Sequence, residues 1–216
     1  MKRAASLILI AALAASTPAL AEKTAPASKV LPFLDRYLKV PAAERARVKL
    51  SYALKRDGKP ASNLKVVMVE KNGARTPLPV NADGYFDSLP TLSQLDGDPT
   101  LVLDVPSDAK MGSMMNFGAQ LKPAAEYDAR ELAATVNEAN TMIGKAAGPM
   151  AFMAPKMTGV AFPKADGGVA IFADGHIASL PQAEGTPYFR PADHQGAVRV
   201  KLTKTPTKVG FYDGKK

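Results

Sequence analysis

Hydrophobic positions along this chain change period several times, and each change marks an element. Leu31, Leu34, Tyr37 and Leu38 recur at helical spacing and Pro41 closes the pattern, which predicts a short helix over Leu31–Lys39. From Val48 the period drops to two. Val48, Leu50, Tyr52 and Leu54 alternate with Lys49, Ser51, Ala53 and Lys55, so a half-buried strand is expected with Leu50 and Tyr52 on its inner face. Leu64–Val69 reads as a second strand. Thr76–Val80 carries Pro77 and Pro79, which lack amide donors, so it is confined to a sheet edge or an extended loop. Leu101, Leu103 and Val105 share one face of a further strand between Pro99 and Pro106. Turns fall between these runs at Asp57-Gly58, Asn72-Gly73 and Asp83-Gly84. Short strands at roughly ten-residue spacing, punctuated in this way, describe an antiparallel sandwich.

The run DGKPASNLKVVMVEKNGARTPLPVNADGYF, Asp57 to Phe86, resembles the core of transthyretin-like and carboxypeptidase-regulatory-like β-sandwich domains. There a turn and strand of the form "dG.pa.n..V" is followed by a second strand and a "..t..dG.f" turn and strand. The likeness extends over residues 48–105 at most and lies in turn chemistry and hydrophobic pattern. It implies a binding or accessory module, with no catalytic residue to carry over.

Pro123–Gly144 holds the strongest helical pattern. Leu132, Val136, Ala139 and Ile143 line one side and Glu126, Arg130, Asn137 and Thr141 the other, so a connector packed on a sheet is expected. Beyond a proline-flanked, methionine-rich stretch at 149–157 the chain returns to β: Val160–Phe162, Val169–Phe172, His176–Leu180, Ala197–Leu202 and Lys208–Tyr212. In VAIFADGHIASL the pair Asp174-Gly175 predicts a two-residue type I′ hairpin turn. The expected organisation is a signal peptide (1–21), a disordered leader and short helix (22–47), a β-sandwich domain (48–122), a connector helix (123–148) and a β-rich C-terminal region (149–216). The fold class is mainly β with an α connector: an antiparallel immunoglobulin-like sandwich, a helix, and a smaller β-rich region.

The first 21 residues read as an address. Lys2 and Arg3 precede an apolar run from Ala4 to Ala15, Ser16-Thr17-Pro18 break it, and Ala19-Leu20-Ala21 supply a small-x-small cleavage pattern. A run of about a dozen residues falls short of the roughly 20 that span a bilayer. A periplasmic or secreted product starting near Glu22 is expected, with no membrane span. The whole chain has 28 basic and 20 acidic residues for a net charge of +8; losing Lys2 and Arg3 leaves +6. Such a protein is drawn to an anionic envelope component or an acidic envelope protein. Nucleic acid is not an expected partner in that compartment. Cysteine is absent, so stability has to come from a buried core.

Candidate chemistry is narrow. Seven of the nine methionines lie between 111 and 157, with Met111, Met114 and Met115 in one group and Met150, Met153 and Met157 in another. Thioether sulfur is a soft, neutral ligand suited to Cu(I) and Ag(I), and copper-handling periplasmic proteins, which this chain resembles in that broad respect, combine sandwich domains with methionine-rich segments. The competing reading is that flexible methionines fill gaps or form an adaptable binding face. His176 and His194 are the only histidines, fit no zinc spacing, and read as surface loop residues. The Asp-Gly pairs at 57, 83, 96, 166, 174 and 213 suit turns and lack the alternating ligands of a calcium loop. No G-x-S-x-G, phosphate loop or dinucleotide fingerprint occurs. No residue therefore takes a catalytic role. The leading expectation is a non-catalytic binding or envelope accessory protein, with Cu(I)/Ag(I) binding and a carboxylate-dependent hydrolase as rivals.

Overall fold

A computed structural model describes residues 22–214, and the expected signal peptide lies outside them. In chain order come β1 (Glu22–Pro26), α1 (Ala27–Val30), α2 (Leu34–Lys39), β2 (Val48–Arg56), β3 (Lys59–Pro60), β4 (Val66–Val69), β5 (Arg75–Pro77), β6 (Thr100–Pro106) and β7 (Met111–Ala119). Then β8 (Glu126–Asp128) leads into α3 (Ala129–Ala147). The remaining strands are β9 (Gly159–Ala161), β10 (Gly168–Phe172), β11 (Ile177–Ser179), β12 (Gln182–Ala183), β13 (Thr186–Phe189), β14 (Ala197–Leu202) and β15 (Gly210–Tyr212).

The chain is mainly β, with one long helix between β-rich stretches. Among the described residues its strands form three sheets: β1-β6-β4-β5, β11-β10-β14-β8, and β12-β13-β9-β15-β7-β2-β3. Every strand pair in them is antiparallel. The seven-stranded sheet draws strands from both sides of α3. A continuous core runs from Leu31 and Tyr52 through Leu101 and Leu132 to Phe162 and Val200.

Alternation in β2 places Leu50, Tyr52 and Leu54 in the core, and in β6 it buries Leu101, Leu103 and Val105. Proline-bearing β5 is an edge strand. In α3 the inward residues are Leu132, Thr135, Val136, Ala139 and Met142, with Ile143 packed against them. Thr135 is buried without penalty because its hydroxyl donates to the Glu131 carbonyl at 2.8 Å.

Four expectations are corrected. Residues 22–26 form a strand in place of a disordered leader, because pairing with the edge of β6 is a backbone interaction that asks nothing of side chains. Helix α1 after it is fastened by Asp98, whose carboxylate accepts from the Ser28 amide and hydroxyl, both at 2.9 Å. Helix α3 starts at Ala129, since Asp128 caps it by accepting from the amides of Arg130 and Glu131, while Tyr127 before it pairs with Val200. Hairpin β10–β11 exists, but its loop has three residues with only Gly175 at positive φ; the two-residue turn with both residues left-handed is Glu184-Gly185, joining β12 to β13. His194 is buried, its ring tilted against that of Phe189 and its Nδ1 3.2 Å from the Arg190 carbonyl, whereas His176 is exposed and stacked on Phe172.

Tyr52 shows how burial couples to pH. Its hydroxyl donates to the Pro32 carbonyl, and burial, with the charges of Asp35 and Tyr37 adding to it, holds its pKa well above the ordinary tyrosine value. The fold thus favours the neutral phenol. Stability owed to this group is intact below about pH 10, where the unfolded chain's tyrosine starts to ionise, and declines as pH rises from there. Urea titrations of Tyr52→Phe should show about 1 kcal/mol less stability at neutral pH and a shallower alkaline decline than the parent. An unchanged alkaline slope would contradict the assignment.

Candidate functional site

Where α2, the face of β2 and β7, and the last turns of α3 meet, they leave an open cavity of about 460 Å³. One wall is the sheet face carrying Leu50, Met115 and Phe117. These three share a face because Leu50 pairs with Phe117 across the ladder and Met115 lies two residues away, opposite Tyr52. Phe117 is backed by Phe211 of β15, with ring centroids 5.0 Å apart. A second wall is Met142, Ile143, Ala146 and Ala147 on α3. Their spacing is that of one helical face.

The third wall is the segment after the helix. A 3-10 turn over Gly148–Met153 reverses the chain, and Met153, Ala154, Pro155 and Met157 return along the cavity. Asn140 of α3 fixes this return: its amide donates to the Met157 carbonyl and accepts from the Met157 amide, both at 2.8 Å. The second bond satisfies a donor that Pro155 and the irregular backbone would otherwise leave open. Glu138, one helical turn from Met142, accepts from the backbone amide of Arg47 and from its guanidinium at 3.0 Å, tying α3 to the loop that enters β2. Lys145 pairs with Glu44 near the helix end.

The rim comes from α2 and its approach. Phe33 is left-handed at φ 64°, a conformation that a bulky side chain rarely adopts, and it is 52% exposed. Tyr37 is buried, donates to the Val48 carbonyl at 2.9 Å and carries the Arg45 guanidinium 4.7 Å above its ring. Arg36 sits over Phe33 at 5.8 Å with Nη1 3.5 Å from the Ala146 carbonyl. Met153 is 67% exposed, and Phe152 beside it 83%. Large apolar side chains are thus held in solvent around the mouth of an apolar cavity.

Of the methionines singled out in the sequence, Met115, Met153 and Met157 line this cavity, joined by Met142. Met114 lies on the other face of β7, opposite Ala53, and Met111 lies opposite Arg56 at the far end of the strand. The side chain of Met150 lies outside the described residues. No three of His, Cys, Asp or Glu gather as an ion site among the described residues. None of the lining residues is a carboxylate or a histidine. Sequence reasoning missed Phe33, Arg36, Phe117 and Met142 as site residues. The only sequence signal of Phe33, Phe117 and Met142 is apolar character, which core packing explains equally well, and Arg36 reads as one basic residue of a short helix.

The fold and cavity together define a mainly β protein with an open apolar site braced by one long helix. Residues 33–163 match the family described as "Protein of unknown function (DUF2987)"; this is more than half of the chain, which belongs to that family. Every lining residue of the cavity falls inside the matched span. No curated protein and no solved structure matches the chain. No described helix is long and apolar enough to cross a membrane.

Proposed function

We propose that this chain is an exported, non-catalytic binding protein of the cell envelope and that the cavity between α2, α3 and the β2–β7 face is its ligand site. One observation carries the reading: a cavity of ligand size, walled almost wholly by apolar side chains, opens between exposed Phe33 and Met153. A folded chain exposes such a rim at a cost, and Phe33 adds backbone strain to it. Export rests on the pattern of residues 1–21, and the accessory role is the one implied by the resemblance of residues 48–105. Methionines suit the site because unbranched thioethers adapt to varied apolar shapes.

The test is saturable binding of phenylnaphthylamine, a neutral dye that brightens in apolar surroundings. Ala146→Trp, which fills the cavity from the α3 wall, should abolish binding while thermal unfolding stays cooperative. Phe33→Gly relieves the left-handed strain, so it should hold or raise stability, by up to about 1 kcal/mol, while weakening the dye several-fold. Equal dye binding by the parent and Ala146→Trp would place the site elsewhere.

A second reading, Cu(I) or Ag(I) capture, is favoured by the gathering of Met115, Met142, Met153 and Met157 on one cavity. In a chelator competition, Met142→Leu combined with Met153→Leu should lower Cu(I) uptake with little loss of packing volume. Equal uptake would leave the methionines as packing and adaptable lining.

A further inference from the structure

We propose that the ligand is a single-chain amphiphile with a carboxylate head, a long-chain fatty acid, whose chain lies in the cavity and whose head is met by Arg36. The inference rests on the apolar-cavity reading above and adds the ligand's polarity. Arg36 is the one charged residue among the cavity's lining residues, and it stands at the exposed rim. No carboxylate forms an ion pair with it among the described residues, and its neighbour Asp35 is engaged by Lys39 at 3.4 Å. A guanidinium has five N–H donors. The Ala146 carbonyl takes one long contact, and the Phe33 ring covers a face without consuming a donor.

The remaining fork matches a carboxylate in shape and charge, which a lysine ammonium would not do. A cationic head would meet Arg36 with no acidic residue on the wall to compensate, and a neutral head accepts from the fork but brings no charge to meet the guanidinium. The cavity holds the greasy part and has no charged group deeper in, so the head belongs at the rim and the chain inside. This is the polarity of a fatty acid entering tail first.

Arg36 also meets the last turn of α3, where a cation is favourable whether or not a ligand binds. The two roles separate by experiment. Dye-loaded protein is titrated with palmitate and with cetyl alcohol, which has the same chain and no charge. Palmitate should displace the dye at about tenfold lower concentration than the alcohol, and its advantage should shrink with added salt. Arg36→Gln should erase that advantage, with the two competitors compared at the dye affinity measured for each variant, and Arg36→Lys should keep part of it. If palmitate and the alcohol compete equally, or if Arg36→Gln alters unfolding without altering their ratio, Arg36 is a helix-end contact and the proposal falls. If the dye itself does not bind, it is the cavity reading that has failed.

Discussion

Replacing Leu132 by alanine should cost the fold about 2–5 kcal/mol, as loss of a fully buried leucine does where its surroundings cannot collapse. Leu132 has no exposed surface and sits at the amino half of α3 in the continuous core. That helix packs on β14, β8, β9, β2 and α2, so its neighbours belong to both β-rich stretches and to the cavity rim. A hole at Leu132 has walls on separate elements, which restricts the relaxation that would close it. Urea denaturation followed by circular dichroism should show the midpoint falling with an unchanged slope. Leu132→Met, which keeps most of the volume, should lose less than about 1.5 kcal/mol. Similar losses in both variants would mean that shape, and not the cavity, sets the cost. Because Met142 and Ala146 ride on the same helix, dye affinity should fall in Leu132→Ala even under conditions where the variant is folded.

Elements with strong side-chain periodicity were legible in the sequence. The alternation of Val48–Leu54, the single apolar face of Leu101, Leu103 and Val105, and the stripe from Leu132 to Ile143 each report a surface that must be buried, and each is buried except at Ile143, which is partly covered and faces the cavity. Elements held by the backbone were not. Strand β1 consists of Glu, Lys, Thr, Ala and Pro and exists because β6 offers an edge. Strand β7 pairs with β2 over its whole length, yet MGSMMNFGA shows no alternation because both of its faces are only partly covered. The cavity was illegible for a related reason. Its walls come from segments near 33–37, 50, 115–117 and 142–157, and an apolar residue facing a cavity looks in sequence like one facing a core. Met115 from the first methionine group meets Met153 and Met157 from the second there, but by way of a sheet face and a post-helical return that spacing along the chain does not encode.

Glycine turns pose the same difficulty in a form that can be measured, since Gly58 and Gly84 both follow aspartate and both have positive φ, 78° and 81°. In sequence they are equivalent; in the fold they are not. A Cβ on Gly58 would meet nothing within 4 Å, whereas one on Gly84 would lie 2.7 Å from the Leu54 carbonyl oxygen and 3.1 Å from the Ala61 amide nitrogen. The 81–84 turn is held against β2 by the Leu54 amide, which donates to the Gly84 carbonyl at 2.8 Å, while the two groups that a Cβ would meet bond each other, the Ala61 amide donating to the Leu54 carbonyl at 2.9 Å. Gly58→Ala should therefore cost only the left-handed penalty of about 1–2 kcal/mol. Gly84→Ala carries that penalty and the displacement of backbone on β2, a further 1–3 kcal/mol or so. Urea midpoints of the two variants, measured against the parent, should differ in that order. Equal losses would show that the 81–84 turn can lift away from Leu54 freely and that its hydrogen bonds contribute little to the fold.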